Sequence, residues 1–107
     1  MADPNETVEE LTITREGDDR MAPRKQLKKQ VITKGAWATV AYKFEELKTT
    51  KAGEEWVEKY SLVRYRKLKG VFQFKKEFAF SKPEHIRSIR DAFSEWLAEE
   101  DAAAADA

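Results

Sequence analysis

From Ala36 to Leu47 the side chains alternate in polarity, and an alternation that long fits a strand buried on one face and little else. Three further runs read alike: Gln30 to Thr33 is short and β-branched, Trp56 to Leu68 follows a loop from Thr49 to Glu55, and Val71 to Phe80 is rich in Phe. Gly35 and the pair Lys69-Gly70 supply turns between them. Four consecutive strands with short connections pair as an antiparallel meander. Ser81-Lys82-Pro83-Glu84 then predicts a helix start, with a Ser oxygen and a Glu three residues later serving as a capping box and Pro tolerated in the first turn. Over the stretch to Leu97, Ile86, Ile89, Ala92, Phe93, Trp96 and Leu97 fall on an arc of about 140° at 100° per residue. The expected class is α+β, ββββα: a four-stranded antiparallel meander followed by one C-terminal amphipathic helix packed on one face.

One helix covers one face, so the alternation must choose which. The even positions Ala38, Val40, Tyr42 and Phe44, with Tyr60 and Leu62 and with Phe72, Phe74, Phe78 and Phe80, are the better core candidates, and the helix stripe is expected on them. The odd positions mix Trp37 and Tyr65 with Lys43, Lys59, Lys67 and Lys75. Aromatic rings on an open sheet stack on unpaired bases at about 1 to 3 kcal/mol each while neighbouring cations neutralise phosphates. The same two aromatics also suit a dimer interface or a place under the N-terminal arm. A strand bulge exchanges the faces, which would move Trp56, Arg64 and Arg66.

Charge points the same way. The formal net charge of zero conceals −6 over residues 1–19, +11 over residues 20–82 and −5 over residues 83–107. A basic middle that also holds the aromatic residues preceding the helix reads as a surface for a polyanion, most of all a single-stranded nucleic acid. Around Pro23, Arg20, Arg24, Lys25, Lys28 and Lys29 form a basic arm. The candidate contacts are therefore Trp37, Lys43, Lys59, Tyr65, Lys67, Lys75, Arg64, Arg66, Lys28 and Lys29. The acidic ends read as competitors for that surface, as a handle for a protein partner, or as aids to solubility.

The 107 residues suit one domain: a flexible segment over 1–26, acidic then basic; a nucleic-acid-binding unit over 27–98; and an acidic, Ala-rich tail over 99–107. A folded part of roughly 70 residues makes a marginal core and favours a homodimer. The absence of Cys removes disulfides, thiolate metal sites and a thiol nucleophile. With no apolar run near a membrane span of about 20 residues and no basic, apolar leader, the expected location is cytoplasmic. His85 stands alone in the first helical turn, a poor metal ligand. Glu45-Glu46 and Glu54-Glu55 flank a loop, and adjacent strand residues point to opposite faces, so neither pair reads as an acid and base couple. No phosphate loop or nucleophile elbow is present, so no enzyme and no cofactor are expected.

The stretches Gln30 to Leu47, Trp56 to Leu68, Val71 to Phe80 and Pro83 to Leu97 together resemble, in order and patterning, the single-stranded-DNA-binding fold of the transcriptional coactivator positive cofactor 4, related in shape to the Whirly proteins. The resemblance implies a domain that dimerises with help from its helix and presents basic and aromatic side chains of curved sheets to single strands. Carried onto this sequence, it implies Trp37, Lys43, Tyr65, Lys67 and Lys75 as contacts, and Phe93, Trp96 and Leu97 as dimer or core residues, a set that the helix stripe extends to Ile89. Two features depart from the pattern: the acidic end of the loop from Thr49 to Glu55, and an acidic segment on each side of the domain.

Overall fold

A computed structural model describes residues 6–105 of the chain. A short 3-10 turn (Val8–Glu10) precedes four strands, β1 (Arg24–Thr33), β2 (Trp37–Thr50), β3 (Gly53–Leu68) and β4 (Val71–Phe80), and a helix, α1 (Pro83–Ala105). The strands form one open antiparallel sheet in the order β1-β2-β3-β4. The expected ββββα class is therefore the observed one, and its elements run longer than the sequence suggests. The expected loop from Thr49 to Glu55 is mostly strand, because the turn needs only Lys51 and Ala52 between Thr50 and Gly53. Between β3 and β4, Lys69 and Gly70 both take positive φ, 52° and 80°, as a two-residue hairpin turn requires.

That short β2–β3 connection decides which residues share a face. Thr50 lies opposite Gly53, so every even residue of β2 pairs with an odd residue of β3: Ala38 with Tyr65, Val40 with Val63, Tyr42 with Ser61, Phe44 with Lys59. The expected grouping, even with even, is thus corrected. Trp37 and Tyr65 stand on opposite faces. A second correction comes from a bulge in β4: Arg64 pairs with Lys76 but Tyr65 pairs with Phe74, leaving Lys75 as the extra residue. Its slip puts Phe72 and Phe74 on one face and Phe78 and Phe80 on the other.

Ala38, Val40, Tyr42, Phe44, Val63 and Tyr65 form the core, as the even positions of β2 had indicated. Their cover is the N-terminal segment, where Val8 and Ile13 are buried and Leu11 packs alongside. The expectation that the helix stripe lies on this face is overturned. Burying each such aliphatic side chain contributes about 1.5 to 3 kcal/mol, and the backbone is held as well. Lys29 Nζ donates to the carbonyls of Val8, Glu9 and Leu11 at 2.7, 2.9 and 2.7 Å. Arg15 and Arg24 exchange backbone hydrogen bonds at 3.0 Å each. Gly17 is required between them, since a Cβ there would lie 2.5 Å from Pro23 Cδ. Residues 6–23 pack on the sheet and residues 24–26 belong to β1, so the expectation of a flexible segment over 1–26 is corrected for residues 6–26; residues 1–5 lie outside the described residues.

Helix α1 meets the opposite face through its first turns, where Ile86 and Ile89 line a cleft of about 250 Å³ with Ala41, Tyr60, Leu62 and Phe80. Beyond Leu97 the helix continues through Glu99, Glu100 and Asp101, so the expected tail is helical as far as Ala105, and residues 106–107 lie outside the described residues. Among the described residues no helix is long and apolar enough to cross a membrane.

Candidate nucleic-acid interface

The face that the N-terminal segment leaves open is built from residues that the register brings together: Trp37, Thr39, Ala41 and Lys43 of β2, Tyr60, Leu62, Arg64 and Arg66 of β3, and Lys76, Phe78 and Phe80 of β4. Lys25 and Lys28 of β1 join them opposite Glu45 and Lys43. At the end nearest the β1–β2 and β3–β4 turns, Trp37 lies opposite Arg66, with Arg64 one pleat away. Both guanidinium groups approach its ring, at 5.0 and 5.1 Å from the centroid, within cation–π range. Trp37 nevertheless remains 41% exposed. A second pair of the same kind sits on β4, where Lys76 Nζ is 5.1 Å from the centre of the exposed Phe78 ring. Trp56 and Lys25, 4.2 Å from the ring centre, form a third toward the far end.

The cations differ in how far they are already engaged. Lys43 pairs with Glu58 at 3.6 Å. Arg64, Arg66, Lys76, Lys25 and Lys28 have no acidic partner among the described residues. An exposed aromatic with free guanidinium groups beside it can stack on a base while the same cations meet the flanking phosphates.

Of the residues expected as contacts, Trp37, Lys43, Arg64, Arg66 and Lys28 are assembled on this face. The rest are elsewhere. Tyr65 is buried at 5% exposure, its hydroxyl 2.9 Å from that of Tyr42, and burial pushes its pKa up. Lys29 is spent on the carbonyls of the N-terminal segment, and burial lowers its pKa. Lys59 donates to Glu46 at 2.8 Å, and Lys67 sits over the Phe72 ring at 5.4 Å, both on the covered face. Lys75 is the exposed bulge residue. Neither family models, nor curated proteins, nor solved structures match this chain.

Lys76 and Phe78 were not among the expected contacts. The alternation of β4 put Phe78 with the core candidates and left Lys76 unassigned, and only the unpaired Lys75 reveals that the strand changes face. The helix residues Ile89, Phe93, Trp96 and Leu97 separate likewise: Ile89 is half-buried against the sheet, whereas Phe93, Trp96 and Leu97 are 52, 55 and 57% exposed.

Proposed function

We propose that this chain is a non-catalytic single-stranded nucleic-acid-binding protein, with DNA as its first ligand and a role in transcription or genome maintenance. The observation that carries the binding is the exposed Trp37 ring with Arg64 and Arg66 at its side on an open sheet face. An open sheet face with aromatic stations suits unstacked bases, whereas a duplex buries its base faces in the stack and leaves an aromatic ring nothing to stack on. The preference for DNA and the transcriptional role rest on the resemblance to the positive cofactor 4 fold. Binding to labelled oligonucleotides at several salt concentrations tests the reading. Contact with about three to five phosphates gives a slope of roughly −2 to −3.5 in log affinity against log salt. Trp37→Ala weakens binding without loss of stability under this reading, and absence of binding to DNA and RNA at low salt would sink it.

A second reading, a protein-interaction or assembly module, draws on a different observation. Phe93, Trp96 and Leu97 project from α1 with more than half of each side chain in solvent, as a surface awaiting a protein would.

A further inference from the structure

Two apolar surfaces of this chain carry opposite charges at their rims and do not cover one another. On α1, the rings of Phe93 and Trp96 lie 5.6 Å apart and form a ridge that Leu97 extends. Glu99 and Glu100 stand three and four residues beyond Trp96, on the same side of the helix, and have no cationic partner among the described residues. On the open sheet face, Leu62 and Phe78 line a groove of about 160 Å³ with Thr39, Arg64 and Lys76.

A helix this long draws most of its stability from packing, yet none of its residues is buried. Its own sheet does not supply the cover: Trp96 lies ten residues past Ile86, about 15 Å further along the axis from the cleft that Ile86 lines, and Phe93, Trp96 and Leu97 are each more than half exposed. Charge identifies what does. The −5 of residues 83–107 repels a second helix of the same kind. The unpaired Arg64, Arg66 and Lys76 attract one.

We propose that α1 of one copy docks on the open face of a second copy, its ridge on Leu62 and Phe78 and its acids toward Arg64, Arg66 and Lys76. The reciprocal contact closes a two-fold dimer with no unsatisfied end. The functional consequence rests on the nucleic-acid reading above: the docked helix occupies the surface that a single strand needs, so self-association and nucleic-acid binding exclude each other. The acidic helix is then the competitor, acting in trans.

Sedimentation velocity of the full chain, with and without a labelled deoxythymidine oligomer, tests this. The free chain sediments as a dimer, and excess oligomer converts it to a monomer carrying nucleic acid. Trp96→Ala, and Leu97→Glu as a second variant, yield monomers of unchanged helix content by circular dichroism that bind the oligomer several-fold more tightly. A chain with Arg64→Glu and Arg66→Glu, and a chain with Glu99→Lys and Glu100→Lys, each fail to self-associate, but their equimolar mixture forms a heterodimer. A nucleic-acid complex that keeps dimer mass overturns the proposal, as does an unchanged dimer in both helix variants. If no variant binds the oligomer while the mixture still associates, competition and the proposed function fall together and the docking stands.

Discussion

Arg24 reaches from the first strand to the fourth: its Nη1 and Nη2 donate to the two carboxylate oxygens of Glu77 at 2.7 and 2.9 Å. On the way, its Nε donates to Glu46 at 2.8 Å and its guanidinium lies 4.5 Å over the Phe44 ring. The side chain is only 8% exposed, and a bidentate buried pair of this kind leaves an unpaired carboxylate when one partner goes. Arg24→Met should therefore cost about 3 kcal/mol in urea unfolding. The exposed pair of Lys34 and Glu9 is the control, and Lys34→Ala should change stability by less than about 0.5 kcal/mol.

Acid should weaken the same network. Burial pushes the Glu46 carboxyl up, but hydrogen bonds from Lys59 and Arg24 outweigh it and hold its pKa below the ordinary value. A depressed carboxylate pKa contributes stability that is complete above the unfolded value of about 4.3 and is lost as pH falls through the folded one. The urea midpoint should be level near neutrality and drop below about pH 4.5. In Glu46→Gln the midpoint at pH 7 should be lower and its acid dependence shallower.

The class of fold was legible because periodicity survives in each strand and the turn residues are explicit. Face assignment was not, since it hangs on single-residue events. A two-residue turn at Lys51-Ala52 pairs even with odd, and the extra Lys75 reverses β4 part-way along. Both are invisible to alternation within one strand. The candidate site suffered accordingly: Trp37 stands on the open face with Arg64 and Arg66 beside it, whereas Tyr65, expected with it, lies on the covered face. The cover of the core was legible only as an alternative, the place under the N-terminal arm that Tyr65 does occupy. Val8, Leu11 and Ile13 are three apolar residues in an otherwise polar, acidic stretch, and what recruits them is the empty face of a sheet that the helix does not reach.

That cover should be energetically visible. Ile13 is 6% exposed against the core, and an Ile→Ala truncation at such a site costs about 2 to 5 kcal/mol. Ile13→Ala should therefore shift the thermal midpoint down by several degrees. An unchanged midpoint would show the segment to be loosely attached, and Val8→Ala offers an independent second reading of the same contact.

Tyr65→Phe and Trp37→Ala should separate stability from binding. Removing the Tyr65 hydroxyl leaves that of Tyr42 buried without its 2.9 Å partner, at a cost of about 1 to 2 kcal/mol. Oligonucleotide affinity should be unaltered, because the group faces the covered side of the sheet. Trp37→Ala should do the reverse. A binding loss in Tyr65→Phe at full folding would show that the strand is bound on the face now covered.

Ser61 presents the opposite case within the same core. Its hydroxyl is buried opposite Tyr42 and has no hydrogen-bond partner among the described residues. A buried polar group left unpaired carries a desolvation penalty of about 1 to 3 kcal/mol, so its removal recovers part of that. Ser61→Ala keeps the volume nearly constant and adds no strain to a strand already fixed by pairing on both sides. It should raise the urea midpoint by an amount equivalent to about 1 kcal/mol, with no effect on nucleic-acid binding. A lowered midpoint would mean that the hydroxyl has a partner in solution, a water or a neighbouring carbonyl, and that this part of the core is wetter than its packing indicates.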